Sequence, residues 1–262
     1  MFSVFCLLLV TSTVFAQQFA PDIQRIIDKK MIIIAMLEKD QPPFFMKNED
    51  DSLVGFDVEL ARGIAKELGV KAVFNRTSKT FNGTVDLVVN RQADIAISKL
   101  SMTLSRAQKV LFTHPYVVLR KALLINQLNF AKAVKGQDQI DFIKNLRGDL
   151  GVLAASSYVG FAKKMFPHAE IHEFKKWEDL VTAVEKGEIL AVFRDELEIK
   201  KVVRNNHDSV LKLQTVAFKD TKDPIAMAVS PDSRHLLFWL NLYLDSLNMD
   251  MDADKLLDKY YE

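Results

Sequence analysis

Residues 31–69 read MIIIAMLEKDQPPFFMKNEDDSLVGFDVELARGIAKELG. The run 31–37 is apolar and stops at Glu38, Lys39 and Asp40, a length that suits a buried strand and is too short for a core helix. Gln41-Pro42-Pro43-Phe44 leaves that strand as a stiff turn. From Phe56 the period changes. Phe56, Leu60, Ile64 and Leu68 recur four apart, Ala61 and Ala65 fill the same side, and Gly69 ends what reads as an amphipathic helix. Asp57 and Glu59 stand in its first turn, where acids are favourable against exposed amide dipoles. Strand, turn and helix in this order open an α/β fold.

The alternation continues outward. Strands are predicted over 71–75 and 94–98, with a short helix over 81–90 between them and a polar Ser101–Arg106 segment after them. Such alternation calls for a parallel or mostly parallel sheet with helices on both faces. The longer strand over 117–126 carries Arg120 and Lys121 in its middle, a pair at odds with a buried central strand, so it is expected to pass through solvent between two bodies. The pattern then restarts. Helices are expected over 138–146, 157–165, 177–186 and 196–203, and strands over 151–153, 171–174, 189–193 and 211–217. A strand over 225–229 and helices over 236–247 and 253–260 close the chain. Two α/β lobes joined by extended connections fit the element count. The first is discontinuous, residues 19–120 and 225–262, and the second spans 121–224.

Composition narrows the function. Of 262 residues, 35 are Lys or Arg and 34 are Asp or Glu, so no strong field draws the chain to nucleic acid. Phe outnumbers Tyr and Trp, 18 against 5 and 2, which assigns most aromatics to the core. A single cysteine, Cys6, excludes internal disulfides and cysteine metal clusters. The five histidines read as surface residues, so neither metal nor cofactor is expected. Residues 2–16, FSVFCLLLVTSTVFA, are uncharged, with an apolar centre and small or moderate residues before Gln17. They read as a secretory signal cleaved after Ala16, too short for a membrane span.

Several short motifs follow one another in a telling order. Pro43-Phe44 precedes Gly55-Phe56-Asp57-Val58-Glu59-Leu60-Ala61; Phe81, Val85-Asp86 and Asp94-Ile95-Ala96-Ile97-Ser98 come next. Ser101-Met102-Thr103-Leu104-Ser105-Arg106, Phe112-Thr113-His114-Pro115-Tyr116, Leu146-Arg147-Gly148 with Gly151-Val152, the stretch 187–195 and Asp223–Ala228 complete the series. In order and spacing they resemble the family 3 extracellular solute-binding proteins, the amino-acid receptors of ABC importers. The resemblance covers nearly the whole mature chain. It implies a type II periplasmic binding protein-like fold, two α/β lobes joined by two crossover strands.

It also implies a site. Arg106 matches the family's arginine for the ligand α-carboxylate, a role suited to a rigid fork of donors. Asp195 matches the partner of the ligand ammonium and is also a fitting cap for the helix that follows. Ser98 and Ser101 match positions whose backbone and hydroxyl groups meet the ligand. Ser156 and Ser157 match a second-lobe turn whose amide groups can join Arg106 on the carboxylate. There Ala155 replaces the usual Gly, which makes an unusual backbone angle less available. Phe81 matches a residue that stacks on the ligand side chain, and Phe44 either flanks the ligand or packs in the core. Lys99 departs from the family, where the position is small. Its side chain either points away or enters the pocket beside Arg106, hinting at an acidic or amide-bearing ligand.

No Ser-His-Asp order, Gly-x-Ser-x-Gly or phosphate-binding glycine loop is present, and no catalytic residue is assigned. The expected function is a periplasmic receptor, acting as a monomer, that delivers a polar amino acid or related carboxylate to the membrane permease of an ABC transporter. The alternative on the same fold is a periplasmic cyclohexadienyl (prephenate/arogenate) dehydratase, for which Glu170, Glu173 and Glu178 are second-lobe acids without a matching motif.

Overall fold

The computed structural model describes residues 19–205 and 211–261. The expected signal segment with its cleavage after Ala16 lies outside the described residues. The chain begins α1 (Pro21–Asp28), β1 (Met31–Leu37), β2 (Met46–Lys47), β3 (Leu53–Val54), α2 (Phe56–Glu67), β4 (Lys71–Ser78), α3 (Phe81–Val89), β5 (Ile95–Ala96), α4 (Leu104–Ala107) and β6 (Leu111–Phe112). It continues β7 (Val117–Leu119), β8 (Lys121–Asn126), α5 (Gln127–Val134), α6 (Gln139–Lys144), β9 (Gly148–Leu153), α7 (Ser157–Met165), β10 (Ala169–Phe174), α8 (Trp177–Lys186), β11 (Ala191–Asp195), α9 (Glu196–Asn205) and β12 (Leu213–Ala217). β13 (Asp223–Ile225), β14 (Ala228–Val229), α10 (Arg234–Ser246) and α11 (Ala253–Tyr261) complete it.

These elements build two α/β lobes, each around its own five-stranded sheet. The first sheet has the order β4-β1-β5-β14-β6 and the second β10-β9-β11-β8-β12. β1 and β9 run parallel to both neighbours, whereas β14 and β8 run antiparallel to theirs, so both sheets are mixed. An antiparallel ribbon, β7 with β13, runs between them with Leu119 opposite Asp223 and Val117 opposite Ile225. The apolar side of α2 explains its docking: Phe56, Leu60 and Ile64 are buried with β1 in one core. Each such side chain contributes roughly 1.5–3 kcal/mol by leaving water. The second sheet buries a core on each face, one under α7 and one under α8.

Two long strands differ from expectation. The strand over 117–126 breaks at Arg120, and its second part, β8, does not pass through solvent: all six residues are buried between β11 and β12. Lys121 is tolerated because it begins the strand. Its ammonium reaches the Lys222 carbonyl and lies 4.4 Å from the centre of the Phe161 ring. The strand over 225–229 divides because the chain changes partner, from β7 to β5 and β6. The strand over 94–98 shortens for a local reason. Side chains replace ladder bonds at its ends, where Ile33 N–H donates to Asp94 Oδ2 and Leu37 N–H to Ser98 Oγ. Helices α1 and α5 carry no expectation, and α4 lies in the segment read only as polar.

Candidate functional site

Arg106 sits on α4, a single turn capped by Thr103, whose hydroxyl accepts the Arg106 N–H. The guanidinium is held by neutral acceptors. Nε and Nη2 each donate to Asn82 Oδ1 at 3.1 Å, and Nη1 donates to the Ser101 carbonyl at 2.8 Å. Three of its five N–H groups are thus named, and two remain for another acceptor. Burial pushes its pKa down to about 10, against the pull of Asp223 and with the push of Arg194, so the group stays charged at neutral pH.

Lys99 resolves the choice its sequence left open: the side chain enters the cleft. Its Nζ donates to Asp195 Oδ1 at 3.0 Å and Glu198 Oε1 at 2.7 Å, with 2% of the side chain exposed. It also lies 5.4 Å from the centre of the Phe44 ring. The backbone aims it. Lys99 is left-handed, with φ of 46°, and its N–H donates to Asp57 Oδ2 at 2.7 Å. Asp57, read as a first-turn acid, is fully buried and accepts the Tyr116 hydroxyl on its other oxygen.

Burial raises the Asp57 pKa to about 7, partly offset by the Lys99 and Tyr116 hydrogen bonds and the Lys99 charge. In the unfolded chain the group titrates near 4. Between these values the folded state holds a proton the unfolded state lacks, so this contribution to stability is present at low pH and lost as pH rises through 7. The protein is expected to resist denaturant better at pH 5.5 than at pH 8.5. Asp57→Asn is expected to lose the larger part of that difference, and an undiminished difference would refute the assignment.

Asp195 ends β11, two residues beyond the strand end read from sequence. Its Oδ1 also accepts the Glu198 N–H at 3.2 Å, so the capping geometry is present as well. Oδ2 lies 3.4 Å from Arg194 Nε. Arg194 stands over the rings of Phe81 and Tyr158, and its Nε makes no hydrogen bond among the described residues. The Tyr158 hydroxyl donates to Asp223 Oδ2 at 2.9 Å, and the Ser101 side chain also lies near that carboxylate. Burial, then the like charge of Asp195, raise the Asp223 pKa.

The lobes meet directly. The Ser157 hydroxyl donates to Ser101 Oγ at 3.0 Å, and Ser156 caps α7 through its side chain. Ala155 adopts the left-handed angle despite its Cβ, with φ of 53°. A narrow cavity of about 10 Å³ is bordered by Phe81, Lys99, Ser101, Arg106, Ser156, Ser157, Tyr158, Arg194, Asp195, Asp223 and Ile225. Beyond Phe81 and Arg194 lies a larger cavity of about 430 Å³ that reaches Thr80, Ala155 and Trp177. Seven of the nine residues expected at a site therefore come together. Phe44 and Ser98 do not border either cavity: Phe44 packs edge-on against Phe56, and Ser98 is spent on β1. The sequence reading missed Asn82, Arg194, Glu198 and Asp223 as site residues. Arg194 was visible only as an unspecified position beside Asp195.

This fold and cleft are those of a two-lobed solute-binding protein. Residues 33–262 match the family model of bacterial extracellular solute-binding proteins, family 3, and the chain belongs to that family. It is 24% identical to an arginine-binding periplasmic protein of Mannheimia haemolytica over 87% of this chain and 90% of the relative. The amino acid ABC transporter substrate-binding protein AbpA of Streptococcus pneumoniae, solved with L-arginine, superposes with a TM-score of 0.72 at 25% identity, covering 90% and 97% of the two chains. An ancestral amino acid-binding protein, AncCDT-1, described as a precursor of cyclohexadienyl dehydratase, gives a TM-score of 0.71 at 25% identity over 93% and 100%.

Proposed function

We propose that this chain is the solute receptor of an ABC importer and captures a polar amino acid or a related carboxylate between a lobe of residues 19–120 and 225–262 and a lobe of residues 121–224. Arg106 carries the reading. It is a buried guanidinium, oriented by Asn82 and Ser101, with donors to spare in a cavity whose opposite wall belongs to the second sheet. Such a fork suits a ligand carboxylate. Ser101, Ser156 and Ser157 would contribute polar groups, and Phe81 an apolar wall. Closure is a population shift driven by contacts the solute makes with both lobes. The receptor is exported, cleaved after Ala16, and works in the periplasm as a monomer that hands its solute to a membrane permease.

The solute leaves unchanged. Of Glu170, Glu173 and Glu178, Glu178 alone borders a cavity, and it is engaged at both oxygens by Lys39. This arrangement favours the receptor over the dehydratase. A thermal-shift screen of the mature chain against the twenty amino acids, dicarboxylates and prephenate tests the reading, because a ligand of the folded state raises Tm by mass action. At least one acid is expected to raise Tm, with prephenate recovered intact. Conversion of prephenate would overturn the receptor reading.

A further inference from the structure

Charges on the cleft walls do not balance. Seven cationic side chains border the two cavities against five carboxylates. Most of the carboxylates are already engaged by the protein itself. Asp195 is held by Lys99 and lies beside Arg194; Glu198 is held by Lys99 and Lys201; Glu178 by Lys39; Asp40 by Arg76. Among the cations, Arg106 is held only by neutral acceptors, and Lys79 and Lys175 show no ion pair among the described residues. Arg194 keeps a buried Nε without a hydrogen bond among the described residues.

Asp195 is the carboxylate placed across the cleft from Arg106, and a buried Lys99 ammonium already lies on it. A solute ammonium arriving there would have to displace that lysine or sit unpaired among Lys99, Arg106 and Arg194. Either course costs desolvation and like-charge repulsion. Asp223 is the remaining carboxylate: its Oδ2 accepts the Tyr158 hydroxyl, and its carboxyl is pushed towards the neutral form by burial and by Asp195, with the Ser101 and Tyr158 hydroxyls pulling the other way.

Resting on the receptor reading above, we propose that the solute is a carboxylate without an α-ammonium group, and that the Lys99 amine takes the place such an ammonium would occupy on Asp195. The receptor thus carries its own cation and selects for the acid alone. Solute carboxylate meets Arg106 and Arg194, and the body of the solute lies in the larger cavity beyond Phe81.

Matched pairs test this by calorimetry on the mature protein: L-glutamate with glutarate, L-glutamine with glutaramate, L-arginine with 5-guanidinopentanoate, and L-phenylalanine with 3-phenylpropanoate. For the pair that binds, the wild type is expected to hold the deaminated member about tenfold tighter or more. Lys99→Ser, which removes the ammonium that lies on Asp195, is expected to close or reverse that gap. A wild type that holds the amino acid as tightly or more tightly overturns the inference and leaves the receptor reading standing, and this arm needs no variant to fold. A gap unchanged in folded Lys99→Ser overturns the role given to Lys99. Binding of no member of any pair, nor of any acid in the thermal-shift screen, overturns the receptor reading itself.

Discussion

Arg106→Ala is expected to lower the affinity of the receptor for its carboxylate solute by about 2–5 kcal/mol, the cost of truncating one partner of a buried, charge-assisted pair. The fold is expected to survive. Arg106 lies on a single-turn helix at the cleft, and among the described residues its side chain bonds Asn82 and the Ser101 carbonyl. Removing it vacates the space of a guanidinium beside the cavity, room in which water can meet those acceptors. Arg106→Lys is expected to recover only part of the loss. A lysine brings the charge but cannot hold Asn82 and Ser101 and still present a fork. Calorimetry on the three proteins, with circular dichroism as the check on folding, gives the comparison. Unchanged affinity in a folded Arg106→Ala would remove Arg106 from the site.

The second large effect is expected in stability. Gly55 precedes α2 with φ of 117°, a region essentially reserved for glycine. A Cβ there would stand 2.6 Å from the Phe44 carbonyl oxygen and 2.7 Å from that of Pro43. Those two carbonyls accept the first N–H groups of the helix, from Asp57 and Phe56. Gly55→Ala therefore strains the backbone and pushes apart the bonds that seat α2. Conformational cost and overpacking together are expected to destabilise the protein by about 2–5 kcal/mol. The effect reaches the cleft, because Asp57 anchors the Lys99 backbone. Denaturant titration measures the loss, and a variant as stable as wild type would contradict this view of the helix start.

Much of the fold was legible because strand and helix periods depend on near neighbours. The run 31–37 and the four-residue repeat from Phe56 have one economical reading each, and both became the expected elements. The strand over 117–126 departs from its expected course because what accommodates a charged side chain is not local in sequence. Lys121 finds a carbonyl and an aromatic face that lie far away in sequence. The cleft shows the same division. Arg106 stood out through its motif, and the structure gives it free donors beside Ser101 and Asn82. The course of Lys99 depends on partners 96 and 99 residues away, Asp195 and Glu198, and on a carboxylate 42 residues before it, Asp57. Periodicity fixes which side of an element faces inward, but not what waits across the gap. Arg194 and Asp223 escaped for that reason: one is an unspecified position in a motif, the other the first residue of a returning strand, and only packing places both beside Tyr158.

The claim that this cleft is a carboxylate receptor is tested most directly by a crystal structure of the mature protein with the acid that gives the largest thermal shift. A carboxylate within hydrogen-bond distance of the Arg106 guanidinium is expected, with the intact solute extending past Phe81 and both lobes in contact with it. A solute bound away from Arg106, held by one lobe alone, or found chemically altered in the cleft would contradict it.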